Sequence, residues 1–301
     1  MAITTANDIP ALLRPGLNAV GVDAKLFPDL WKPIYSMNKS NKTQEVDVQI
    51  KLLSAAELSQ PGGQVAYDSF SQQYITTYYH QYFKKGFVLT HQALDDNLYK
   101  DRFPMAATAL ADSMREVKNI QAFNVFNNGF SAASPIGDGQ PFFSTQHPIQ
   151  GGTYSNTFST PVGLNESALQ DIIILIRNLR SDSGIRVNYE IKQLLVPPNL
   201  EFTASRLLNS KDDPETANRS INPINNGRYF KRGFISSVYL VSPTAWYVTL
   251  EHPDGLKFFQ RNNLDIDIFP DIDTDNLKCR AFERYSFGTS NGRAAAGSQG
   301  A

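Results

Sequence analysis

The sequence predicts an α+β fold, and three features carry that expectation. Residues 43–51, TQEVDVQIK, alternate polar and apolar side chains with Val46, Val48 and Ile50 on one side, the period-two pattern of a half-exposed strand. A helical repeat runs from about Phe103 to Asn127, with Leu110, Met114, Val117 and Ile120 on one face, Phe123 and Phe126 close by, and Gly129 as its stop. At 1.5 Å per residue such a helix is roughly 37 Å long, more than the usual three turns, and suits a backbone element of a domain. Past residue 161, helical and strand-like runs interleave: Leu169, Ile172, Ile173 and Ile176 recur at helical spacing after Asn165, Leu194-Leu195-Val196 is a short apolar strand stopped by Pro197-Pro198, and 199–209 returns to helical spacing with Asn199 as a possible cap.

The flanking elements follow from turn chemistry. Pro10, Pro15, Pro28 and Pro33 break up residues 1–40, so that stretch reads as an extended arm whose apolar groups, Ile9, Leu12, Leu13, Leu17, Phe27, Leu30, Trp31 and Ile34, need another surface to cover them. Trp31 is the largest of these anchors, and its own domain is an equally good candidate for that cover. Pro61-Gly62-Gly63 separates the 43–51 strand from YDSFSQQYITTYYHQYF at 67–83, rich in tyrosine and threonine, and the two runs make the arms of a long hairpin-like excursion. A two-stranded ribbon is marginal alone in water, so it must lie on something else. Residues 131–163 are rich in Gly, Ser, Pro and Thr and read as loops, 211–228 as a polar surface insertion, and 237–250, 257–268 and 277–287 as strand-bearing stretches. The small, polar residues 289–301 read as a frayed tail.

Composition narrows the function classes. The chain has 301 residues, 28 Lys and Arg against 29 Asp and Glu, so its overall field is close to neutral and attraction to nucleic acid has to be local. One cysteine, Cys279, permits no internal disulfide and no thiolate metal cluster, and suits a reducing compartment. The first residues lack the basic leader and apolar run of a secretory signal, and the longest aliphatic run, Ile172 to Ile176, is far short of the roughly 20 residues that span a bilayer. Asp271, Asp273 and Asp275 alternate like the opening ligands of a calcium loop, but Asn276 stands where that loop needs glycine and Phe282 where it needs the bidentate glutamate. His80, His91, His147 and His252 have no paired spacing, and no nucleophile elbow, phosphate-cradling loop or dinucleotide fingerprint occurs. No catalytic residue, metal or cofactor is expected, and an enzyme would need a site that motif reading does not reveal.

Four strings, GFVLTHQALDDNLY before the long helix, FFSTQHP in the loop region, LLVPPNLEFTASRLL in the second domain and the closing AFERYSFG, stand in an order that resembles the HK97-fold major capsid proteins, and more narrowly the Mu-type major head subunit family. The likeness spans about residues 10–290, and the order of the strings carries it. It implies an N-terminal arm at 1–40, an extended E-loop at 41–92, a peripheral domain at 93–160 with its spine helix, an axial domain at 161–255, and a return to the peripheral domain with the C-terminal tail at 256–301. It also implies a self-assembling subunit forming hexamers and pentamers of an icosahedral shell around a double-stranded DNA genome, with a portal at one vertex and scaffold or decoration proteins as further partners. The chain would be made and assembled in the bacterial host cytoplasm and reside in the virion. A prokaryotic nanocompartment shell is the rival on the same fold. The assembly-interface candidates are Leu12, Leu13, Phe27 and Trp31 in the arm, Tyr74, Tyr78 and Tyr82 in the excursion, and the basic pairs Lys84 with Lys85 and Arg177 with Arg180, for which solvated surface charge is the plainer reading and ion pairing between subunits or weak phosphate contact the sharper one. Removing residues 1–33 is expected to leave a folded core that no longer assembles.

Overall fold

A computed structural model describes residues 28–51, 53–56, 58–65, 67–90, 99–149, 151–211, 221–225, 229–274 and 276–301. Two four-stranded sheets form the body. The first has the order β1 (Ser36–Lys39), β10 (Leu256–Pro270), β11 (Leu277–Thr289), β4 (Gln81–Leu89), with β1 parallel to β10 and the other pairs antiparallel. β10 and β11 are long because Leu256, Phe258, Ile266, Ile268, Leu277, Cys279, Ala281 and Tyr285 alternate inward over most of their length. Two register shifts, between Gln260 and Asn262 and between Asn262 and Asp265, interrupt that ladder.

The long helix α1 (Tyr99–Asn127) lies against this sheet. Its buried face differs from the expected one. Leu110 and Met114 are covered, but Val117 is only half-buried and Ile120 is exposed, and the covered face passes instead through Ala107, Ala111, Ala122, Phe123 and Phe126. Alanines carry the close approach of helix and sheet, so a reading that weighted large side chains drifted off the seam.

The second sheet has the order β12 (Ala295–Ser298), β9 (Trp246–Glu251), β7 (Glu190–Val196), β8 (Phe234–Ser236). The helix α2 (Glu166–Arg177) and the helix α3 (Glu201–Asn209) share its core, through Leu169, Ile172 and Ile176 on one and Ala204 and Leu207 on the other. Asn165 caps α2 as its sequence suggests, the side chain accepting the Ala168 amide at 2.7 Å. Asn199 does not cap α3. A short turn of 3-10 helix, Pro198–Leu200, precedes that helix, and Leu200 takes the cap position without a side-chain bond.

A third cluster welds the sheets together, and the arm supplies its wedge. Trp31, 2% exposed, Ile34 and Tyr35 sit among Phe123 and Phe126 of α1, Phe258 and Tyr285 of the first sheet, and Leu195 and Tyr247 of the second. The Trp31 and Phe258 rings are 4.4 Å apart, and the Tyr35 hydroxyl donates to the Ala122 carbonyl at 2.6 Å. Lys192 donates to the Ile34 carbonyl and Arg232 to that of Pro33, at 3.2 and 3.4 Å, so the second sheet's side grips the same turn. For Trp31 this settles the two readings in favour of its own domain, and Ile34 and Tyr35 are covered with it, because the gap between the two sheets is the nearest apolar volume; Met37, farther along, stays exposed.

The C-terminal residues overturn a second expectation. Instead of fraying, Ala295–Ser298 form an edge strand on β9, residues 292–298 are buried throughout, and the Thr157 hydroxyl donates to the Gly297 carbonyl at 2.7 Å. Small residues are what this position requires: a Cβ on Gly297 would come within 2.8 Å of the Tyr247 ring.

Two outcomes follow from this packing. Trp31→Ala empties a core site and is expected to cost about 3–5 kcal/mol in chemical denaturation, so deletion of residues 1–33 should unfold the body as well as block assembly. His252, packed on Tyr189 and accepting the Asp254 amide, has its pKa pushed down to about 4 by burial. The unfolded chain therefore binds the proton first, and thermal stability should fall as pH drops from about 6.5 toward 4, with a shallower fall in His252→Gln.

Candidate assembly surface

Strand β2 (Gln44–Lys51) pairs antiparallel with β3 (Ser71–Tyr79), and this ribbon belongs to neither body sheet. Its polarity is the reverse of a surface strand's. Glu45, Asp47, Gln49 and Lys51 are the partly covered side, while Val46, Val48 and Ile50 are exposed. On β3, Ile75 lies opposite Val48 and is exposed with it, at 49% and 40%. Beyond the strands, Leu53, Leu58, Val65, Tyr67 and Phe70 extend the exposed apolar surface.

The covered side explains why. The Asp47 carboxylate accepts from Lys257 Nζ at 2.5 Å and from the Ser290 hydroxyl, and Lys257 also meets Asp254 at 3.1 Å. Gln49 donates to Asp182 at 2.6 Å, and Asp182 pairs at 2.9 Å with Arg293, a buried guanidinium that also donates to the Arg180 carbonyl at 2.7 Å and lies 4.2 Å from the centre of the Tyr154 ring. Glu45 takes the Ser40 hydroxyl at 2.6 Å, a bond that holds its carboxyl below the usual range. Glu45, Asp47 and Gln49 thus each have a charged or hydroxyl partner outside the ribbon, which orients the apolar set outward. Gly137 allows the close seating of β3, since a Cβ there would lie 2.3 Å from Thr76 Oγ1.

The residues singled out from sequence divide three ways. Leu12, Leu13 and Phe27 lie outside the described residues. Trp31 and Tyr78 are consumed inside the subunit, Tyr78 by a hydroxyl bond to Ser290 and a ring contact with Phe259 at 5.0 Å, which corrects their reading as contacts for a neighbour. Tyr74 is half-buried on the body side, where burial first, then nearby Asp138 and Asp182, raises its pKa. Tyr82 is exposed, stacked on Phe282 at 5.9 Å with Lys84 4.5 Å over its ring. Lys85 bonds Ser113 of α1 at 2.9 Å; Arg177 lies over Tyr229, and Arg180 donates to the Gly184 carbonyl at 3.3 Å. These sit on different elements and do not form one site.

The sequence reading passed over Val46, Val48, Ile50, Ile75 and Tyr79 as contact residues, although the alternation at 44–51 was visible. Which side of that alternation the body covers depends on Lys257, Asp182 and Ser290, all distant in sequence, with the nearby Ser40 adding to them. Asp271 accepts from Thr274 at 2.6 Å and pairs with Lys278 at 2.7 Å; Asp275 is outside the described residues, and among those described no group of three or more His, Cys, Asp or Glu could hold a metal ion. Nor is any helix among them long and apolar enough to cross a membrane. Arg293→Leu is expected to cost about 3–5 kcal/mol by leaving Asp182 buried without its cation, read as a drop in urea midpoint.

Solved structures share this architecture. A virus-like particle subunit from Pyrococcus furiosus superposes with a TM-score of 0.56 at 12% identity, covering 96% of this chain and 99% of that one. The mature capsid subunit of bacteriophage PhiM1 gives 0.55 at 15% identity over 91% and 87%, and the procapsid subunit of bacteriophage JBD30 gives 0.57 at 14% over 78% and 100%. These likenesses establish the HK97-like capsid fold. No curated protein matches the chain. The family model described as phage capsid protein matches residues 74–296, from the second ribbon strand to the buried C-terminal edge strand, and on that match the chain belongs to the phage capsid protein family.

Proposed function

We propose that this chain is the major head subunit of a tailed bacteriophage, of the Mu-type branch, whose copies close into an icosahedral shell of hexamers and pentamers around double-stranded DNA. The observation that carries the reading is the ribbon: polar residues hold it to its own body and apolar residues face away. An exposed apolar strand face with an apolar loop beyond it is costly in water, at about 25 cal/mol for each Å² left uncovered, and marks a contact surface. Repeated copies supply the cover, since closed assemblies repeat one complementary contact. Membership of a capsid family points the same way, to a structural role rather than a catalytic one.

The finer parts of the proposal rest on other features. The four strings near residues 86, 142, 194 and 281 support the Mu-type branch. Lys84, Arg177 and Arg180, exposed on the subunit, are candidates for weak contact with packaged DNA or for ion pairs between subunits. A portal, with scaffold or decoration proteins, would be the further partners, and assembly would take place in the host cytoplasm before the protein resides in the virion.

A second reading on the same fold is a nanocompartment shell without a genome; the virus-like particle subunit from Pyrococcus furiosus shares that fold nearly end to end. Electron microscopy of the purified chain, with its ultraviolet spectrum, tests both. Closed particles are expected from the unaltered chain. Val48→Lys with Ile75→Glu, opposite charges at directly paired positions, should abolish them while changing subunit stability by no more than about 0.5 kcal/mol, as usual for exposed positions. Normal shells from the double variant would overturn the role given to the ribbon, and particles from infected cells that lack nucleic acid would favour the nanocompartment.

A further inference from the structure

Both chain crossings between body and ribbon meet at one histidine. The chain leaves β1 at Lys39, passes Ser40 and enters β2 at Gln44, then returns from Tyr79 to Gln81 through His80 alone. His80 is 8% exposed, with Nδ1 3.0 Å from Ser286 Oγ and Nε2 3.0 Å from Ser40 Oγ.

The direction of each bond follows from Glu45. The Ser40 hydroxyl donates to the Glu45 carboxylate at 2.6 Å and accepts the Lys42 amide at 3.2 Å. A hydroxyl carries a single hydrogen, so toward His80 it can only accept, and Nε2 must hold the proton. Nδ1 is then a lone pair that takes the Ser286 hydroxyl. The result is a one-way relay, Ser286 to His80 to Ser40 to Glu45, running from β11 of the body to β2 of the ribbon.

We propose that His80 is an acid-loosened latch at the ribbon root: the neutral imidazole ties the two crossings to each other and to β11, and its protonation releases the tie to β11. A proton on Nδ1 would face the Ser286 hydroxyl donor to donor, so that link must break or turn. The charged surroundings oppose the added charge from two strands and favour it from one. Arg284 of β11 donates to the His80 carbonyl at 3.4 Å, and Arg261 of β10 donates to the Lys42 carbonyl. Glu45 of β2 attracts the imidazolium, but its carboxylate is already shared by Ser40 and, at 3.5 Å, by Lys42. From the remaining sides the ring meets Phe259 of β10, 6.5 Å between centres, which offers no charge. Burial first, then Arg284, holds the His80 pKa below its ordinary value. The latched form is therefore the poorer proton binder, is favoured above the ordinary histidine pKa, and is lost as pH falls through its own lower value. Asp47 and Gln49 anchor the ribbon farther out, so the effect belongs to residues 40–45 and 78–82.

Hydrogen–deuterium exchange of the full chain at about pH 7.5 and about pH 5, the histidine titration range, with times scaled for intrinsic rates, reads this directly. Unaltered protein should lose protection in 40–45 and 78–82 on the order of tenfold at the lower pH, while β10 and β11 beyond the root stay unchanged. His80→Gln, whose amide can donate to Ser40 and accept from Ser286 without titrating, should keep its protection at both. Ser286→Ala, which removes the β11 link itself, should show the lowered protection at both pH values. Equal pH-dependent loss in unaltered protein and His80→Gln, or none in unaltered protein, would overturn the latch. The test stands whatever the ribbon docks on.

Discussion

Lys257 lies between Asp47 of the ribbon and Asp254 of its own turn, largely out of water, and the two carboxylates supply the charge its ammonium needs there. With Gln49 on Asp182 and Glu45 on Ser40, it commits the polar side of the ribbon to the body. A two-stranded ribbon cannot support itself, and its side chains alternate with a period of two, so committing one side determines the other. The outward apolar face of Val46, Val48, Ile50 and Ile75 is therefore a consequence of where four polar partners sit.

The same anchors draw the rest of the molecule together. Asp182 and Arg293 join the ribbon to the turn after α2 and to the C-terminal residues, and those residues continue as the edge strand that completes the second sheet. The Trp31 wedge does for the interior what the ion pairs do at the ribbon. It fills the space where α1 and the two sheets converge, so that movement of one sheet against the other would open an aromatic core. The body is stiffened by apolar packing and the ribbon is held by directional polar bonds. Bonds of that kind can be exchanged one at a time, and the histidine at the root follows from that division.

Among the charged groups, the buried ones are shared, so that removing either partner would strand a charge out of water. Lys118 meets Glu283 under Trp31, Phe258 and Tyr285, and burial raises the Glu283 pKa while the lysine opposes it. Lys231 and Glu190, a close pair, lie half in water and contribute little. Near neutrality overall thus conceals an uneven distribution of energy.

From sequence alone came the α+β class, the period-two strand at 43–51, the long helix, the Asn165 cap, and, through four strings in order, the capsid resemblance that the family match bears out. These are legible because they depend on neighbours a few residues apart or on the order of parts along the chain. Three things were decided only in the folded chain. Trp31 became core because the gap between the sheets could receive it, the small residues after Thr289 became a strand because β9 offered an unpaired edge, and the ribbon's apolar side turned outward because Lys257, Ser290 and Asp182 claimed the other. In each case the deciding partner lies more than 40 residues away, Thr249 for Ala295 being the nearest, and periodicity along the chain carries no information about what will stand across from it.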